Sequence, residues 1–206
     1  MKTRKRKTLE LVQLSILIAL VVVLQIVSAI IPPIGGMVSI TLTLVPVVIG
    51  AILFGKRGGA ILGFAFGIIV LINCIIALDK GGNILWVENP LFTAGICIIK
   101  GTAAGFVPAV VYKLAISKLK NPSAGRKYVA SLLAAISAPI VNTGLFVCGM
   151  LLFFTNTLTS WAGKSDVLTY IILTLAGLNF IVELIINIIL APAIARIVDI
   201  LNKKVK

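Results

Sequence analysis

Four polar side chains lie deep inside otherwise apolar runs of this sequence: Asn73, Lys100, Asn142 and Asn179. Each falls roughly 10 to 14 residues from an end of its run, which at about 1.5 Å of rise per residue places all four near the middle of a membrane-spanning helix. A polar group in hydrocarbon is costly unless it has a partner, so four such groups from four runs predict a polar pocket inside a helical bundle. Asn179, Glu183 and Asn187 recur at i, i+4 and i+8 and form one polar stripe. Asn89 and Thr93 stand one turn apart at the start of the fourth run. Lys100 and Glu183 are the only charges at this depth. They can pair with each other, which suits a neutral ligand. Otherwise Lys100 meets an anionic ligand group, a carboxylate for example, or holds a structural or partner-contacting place. A single membrane asparagine commonly bonds a neighbouring helix, so the pocket rests on the group rather than on any one member.

This chemistry is recognition, not catalysis. The chain has no histidine, and Cys74, Cys97 and Cys148 sit in separate apolar runs without CxxC spacing. They read as small buried residues, not as a disulfide or zinc site. No acidic metal cluster and no nucleophile–base pair is visible, so an enzyme is not expected. Residues 50–56 match G-x-x-x-x-G-K, but Arg57 replaces the Ser or Thr a phosphate loop needs and Gly50 lies inside a membrane helix. No cofactor is expected on this chain.

The elements that must position these residues are membrane helices. The 206-residue chain is 60% hydrophobic and only 12% charged, with mean hydropathy +1.17. That is too little charge to cover a soluble surface of this size. Apolar runs over 9–31, 38–54, 59–78, 89–116, 128–154 and 168–195 predict a single all-α integral membrane domain of six helices. The net charge of +13 is distributed, not clustered for nucleic acid: 16 of the 19 Lys and Arg lie before the first run, in the second connection, in or just before the fourth, and beyond the end of the last run. This is the positive-inside pattern, and it predicts both termini in the cytoplasm and contact with anionic lipid.

The stretch 41–67 reads as a hairpin: an apolar run, a basic turn at residues 55–59, and a second run. Gly59, Gly63 and Gly67 then share one helix face, a surface for close backbone packing. Pro46 predicts a kink in the second helix. Residues 32–36 break the chain outside. Val27-Ser28-Ala29 offers a small-residue cleavage site, but the run is too long for a signal peptide. Residues 79–88 and 156–167 read as outer loops, whose Trp86 and Trp161 suit a membrane interface or a ligand cover. Asn89-Pro90 is a helix start, with a capping side chain followed by proline in the first turn. Ser15 and Ala19 form a small-xxx-small pair on the first helix.

Together the 41–67 hairpin, Ser15/Ala19, Asn89-Pro90, Lys100-Gly101, Asn142 and Asn179 resemble the substrate-binding S component of energy-coupling factor (ECF) vitamin transporters, over nearly the whole chain. The resemblance implies a six-helix subunit of the bacterial plasma membrane that binds a vitamin from outside. It also implies partners, a coupling membrane protein and two cytoplasmic ATPases that hydrolyse the ATP. The family's A-x-x-x-A contact surface for the coupling protein falls on Ser15 and Ala19, with serine a small departure. Thr93, Asn142 and Asn179 fall at ligand-contacting positions of the thiamin member; Thr93 and Asn142 replace its acidic residue and its lysine, which disfavours cationic thiamin. Pantothenate and riboflavin are the leading candidates.

The residues expected at the substrate are thus Asn73, Trp86, Asn89, Thr93, Lys100, Asn142, Asn179 and Glu183. A bundle with a midplane pocket and no motor needs external energy to concentrate anything. The alternative is a self-contained secondary carrier or facilitator for a small polar solute. A small membrane enzyme would require catalytic groups that the sequence does not display.

Overall fold

The computed structural model describes residues 2–30, 42–117, 123–175 and 177–205. The breaker at 32–36, the start of the second helix at 38, and Lys118 and Lys120 lie outside these. Among the described residues the fold is helical, without strands. In chain order it has α1 (Lys2–Ile30), α2 (Leu44–Ile75), α3 (Lys80–Glu88), α4 (Pro90–Ile116), α5 (Ala124–Phe153), α6 (Thr155–Ala162), α7 (Val167–Tyr170), a π-helical turn (Ile171–Leu175) and α8 (Gly177–Val205). Five stretches are long and apolar enough to cross a membrane: Thr8–Ser28, Leu44–Ile75, Pro90–Ile116, Ala124–Phe153 and Val167–Ile200.

α2 is two arms. Gly55 has φ 66° and ψ −160°, outside the helical region, and glycine adopts this backbone without steric cost. The chain folds back there: Gly50 packs on the Leu62 side chain and Gly59 on Ala51. The expected kink at Pro46 does not occur. Pro46 sits in the first turn of α2, where an absent N–H breaks no helical bond.

The second arm of α2 runs against α4 in the most extensive interface of the molecule. Gly59 faces Gly105, Gly63 faces Gly101, and Gly67 faces the Cys97 carbonyl. A Cβ at Gly63 or Gly105 would overlap the opposing main chain. The four-residue spacing thus has its partner in a second glycine series, and the backbones meet without side chains between them.

The main core gathers around α2, with Leu44, Val47, Leu62 and Phe66 fully buried against Val21 of α1, Ala104 of α4, Ala134 and Ala138 of α5, and Ala191 and Ile194 of α8. α1 is tied to the start of α2 by polar bonds: Thr43 Oγ1 donates to Gln25 Oε1 (2.8 Å), and Leu42 N donates to Ser28 Oγ (3.1 Å). Ser28, part of the would-be cleavage site, is therefore a buried helical residue. The face of α1 carrying Ser15, Ile16, Ala19 and Leu20 is exposed.

Both stretches expected as outer loops are largely helical. Asp79 caps α3 by accepting from Gly82 N (3.1 Å), and this cap starts a helix the apolar pattern did not announce. α6 follows α5 directly and packs Leu158 into a second cluster with Leu85, Ile96, Met150, Phe154, Ile171 and Leu175. The Thr157 hydroxyl donates to the Glu88 carboxylate, joining α6 to α3. The last run is not one α-helix either. Its π turn widens the backbone at Ile171–Leu175, and Gly177 lies against the Ile172 carbonyl, where a Cβ would not fit.

Candidate functional site

α4 supplies the centre of the site. Asn89 starts the helix: its side chain accepts from Phe92 N (3.2 Å), with Pro90 next. Thr93 Oγ1 donates to the Asn89 carbonyl (2.9 Å). Thr93, Ile96, Cys97 and Lys100 then project from successive turns into one small cavity. Val70 and Cys74 close it from α2, Asp79, Gly82 and Leu85 from the α3 segment, and Phe146 from α5. The Lys100 ammonium lies 4.8 Å from the Phe146 ring centroid, within cation–π range.

Charge in this cavity is sparse. Among the described residues Lys100 has no carboxylate within ion-pair distance, and the expected option of a Lys100–Glu183 pair is not realised. Asp79 faces the same space. Burial raises its carboxyl above the usual carboxylate range, while the Gly82 N–H, Lys100 and the Gly81 N–H pull it back. Sequence reasoning missed Asp79 because it follows the end of a run and reads as a loop charge; its signal was the capping position before residues 80–88. It also missed Phe146, one turn beyond Asn142 on α5.

Asn73 corrects the expected depth. α2 ends at Ile75 because Ala77 takes a left-handed φ of 59° and turns the chain, so Asn73 is two residues from the helix end rather than at its middle. Its carbonyl accepts from Asp79 N (3.1 Å), and its side chain is buried, with Nδ2 unbonded among the described residues. Asn142 on α5 is buried, with Oδ1 unbonded among the described residues. Asn179, Glu183 and Asn187 are all 5% exposed or less, so the i, i+4, i+8 stripe faces inward, and Asn187 Nδ2 donates to the Glu183 carbonyl (2.8 Å). Trp86 is half-buried against the main core. Of the eight expected substrate residues, the cavity brings together Thr93 and Lys100; Asn73, Trp86, Asn89, Asn142, Asn179 and Glu183 do not line it.

Cys74 and Cys97, from separate runs, are buried at this one cavity. Cys148, expected to be buried, is exposed. It lines an open groove of about 320 Å³ between α4 and α5, with Ile99, Lys100, Leu145 and Leu152 in its walls. At its outer end Phe92 and Phe153 stack with ring centroids 4.3 Å apart. The inner cavity holds only about 20 Å³, room for one water. The inner cavity is therefore closed, while Lys100 also borders the open groove between α4 and α5.

The family model of the ECF transporter substrate-specific component matches residues 9–195. The chain belongs to that family. It is thus a multi-pass protein of the cell membrane and a transport subunit of an ECF importer, and its family is not one of enzymes. A relative of this S component is the pantothenic acid transporter PanT of Lactococcus lactis subsp. cremoris (strain MG1363). The two are 30% identical over 200 residues, which cover 93% of this chain and 94% of the relative. No solved structure matches the S component.

Proposed function

We propose that this S component captures pantothenate from outside the cell for import driven by a coupling membrane protein and two ATPases. The single observation that carries this reading is Lys100: a lysine in a small cavity, over an aromatic ring and without a carboxylate at ion-pair distance among the described residues. Such a group suits an anionic ligand, and pantothenate presents one carboxylate. The pantothenic acid transporter named above supports the same choice. Riboflavin carries no carboxylate and leaves Lys100 without a role.

The ligand carboxylate meets the Lys100 ammonium, and Thr93 and Asn142 offer hydrogen bonds to its hydroxyl and amide groups. Asn73, Trp86, Asn89, Asn179 and Glu183 complete or brace the pocket. A vitamin far exceeds one water in size, so α3 lifts away with Asp79, Gly82 and Leu85 when the ligand enters. Counting the two arms of α2 separately gives six crossings, and the alternation of basic connections puts both termini in the cytoplasm. The exposed Ser15/Ala19 face of α1 is the surface for the coupling protein.

The test is binding to the purified chain. Pantothenate should bind and riboflavin should not, and Lys100→Met should weaken pantothenate by roughly 10- to 100-fold, the scale of a lost charge-assisted bond. Tight riboflavin binding, or wild-type affinity in the variant, would overturn the assignment. A self-contained carrier is excluded if uptake stops in cells lacking the coupling protein and ATPases.

A further inference from the structure

Two opposite charges face the cavity, from different elements. Lys100 comes from the body of α4, and Asp79 comes from the cap of α3, the segment that closes the cavity. The other groups at the cavity are the thiols of Cys74 on α2 and Cys97 on α4, the Thr93 hydroxyl on α4 and the Phe146 ring on α5, with apolar side chains between, and the backbone N–H groups of Gly81 and Gly82 on α3 act on Asp79. Lys100 is thus the cation that acts on Asp79, with no ion pair formed between them.

We infer that Asp79 is the resident counter-ion of Lys100, a specificity-determining residue whose place beside the ammonium the ligand carboxylate takes over. This rests on the reading that the substrate carboxylate meets Lys100. With the cavity closed, Asp79 offsets the charge of the half-buried lysine from across it. An arriving carboxylate adds a second negative charge to the same space. Like charges so placed disfavour each other, so Asp79 either withdraws with α3 or takes up a proton. Burial already favours its protonated form, so the proton route is open. Binding of the acid is then opposed by the ionised Asp79 and grows tighter as pH falls. The chain has no histidine to mimic this effect.

The experiment is calorimetry on the purified full chain with pantothenate and with its alcohol analogue, in which CH₂OH replaces the carboxylate. The readout is the ratio of the two dissociation constants. Asp79→Asn removes the charge and retains a side chain that caps helices equally well. The preference for the acid should rise roughly tenfold, the equivalent of one pKa unit of interaction. Asp79→Ser, also uncharged and able to cap, should give the same shift. In the wild type, acid binding should tighten from about pH 8 down to about pH 5, where a ligand carboxylate of ordinary pKa stays ionised, and this slope should flatten in Asp79→Asn. An unchanged ratio in both Asp79 variants, with a loss of acid preference in Lys100→Met, would overturn the counter-ion role and leave the lysine–carboxylate contact standing. An unchanged ratio in Lys100→Met would overturn both.

Discussion

Lys100, half-buried, and Asn142, buried, show how polar groups in apolar runs can mean different things. The lysine has a ring beneath it and a counter-charge across a cavity, so its charge is available to a ligand. The Asn142 amide is buried with its oxygen unbonded among the described residues. Leaving such a group unsatisfied costs about 1–3 kcal/mol, so it must repay that cost elsewhere. If it repays it at the ligand, Asn142→Leu weakens pantothenate binding severalfold or more, while thermal unfolding in detergent moves to equal or higher temperature. Unchanged affinity with raised stability would make Asn142 a packing defect, not a site residue. The stripe 179/183/187 was legible at this scale because helical periodicity alone puts the three on one face. Asp79 was not, because nothing local tells a loop carboxylate from one folded back over a pocket.

Between elements, the α2–α4 contact decides how closely the two helices that flank the cavity approach. Gly63 meets the Gly101 main chain, whereas a Cβ at Gly144 of α5 would meet nothing within contact distance. Gly63→Ala should therefore lower the unfolding temperature, with a loss of about 1–3 kcal/mol typical of overpacking. It should also disturb binding, since Cys74 and Cys97 lie on the same two helices. Gly144→Ala should be neutral or stabilising by up to about 1 kcal/mol, the difference in helix propensity. Equal behaviour of the two variants in a thermal melt would refute the close approach. Sequence reasoning found the 59/63/67 series and the Asn89-Pro90 start. It missed α3 and α6, which are too short to stand out as membrane-spanning runs and are held by Asp79, by Leu158 and by the Thr157–Glu88 bond. It also missed the π turn, which exists only through backbone bonds and leaves no mark in composition.

For the molecule as a whole, α1 stands apart. It packs on α2 through Val21 and turns Ser15 and Ala19 outward. A bulky side chain there is spared the core, so Ser15→Trp or Ala19→Trp should leave pantothenate affinity near wild type while abolishing co-purification with the coupling protein and uptake by cells. A collapse of affinity would instead place this face at the pocket. At the opposite end of the bundle from the cavity, Lys127 Nζ bonds Asp199 Oδ1 at 2.9 Å and ties α5 to α8. Half-exposed pairs of this kind contribute about 1 kcal/mol or less, so Asp199→Asn should shift unfolding only slightly.

The sequence by itself determined the membrane, the inward-facing stripe on the last helix, the hairpin reversed at Gly55 and the basic connections. Each follows from properties summed along the chain: transfer of side chains to hydrocarbon, charge count and helical period. Only the tertiary structure decided that Asp79 shares a cavity with Lys100, that Cys74 and Cys97 meet there, that Cys148 is exposed, and that Asn73 sits at a helix end. Those facts depend on how far each helix is rotated about its axis and where it stops. Rotation and length are set by contacts between residues far apart in sequence, such as Gly63 with Gly101, and no local window contains both partners.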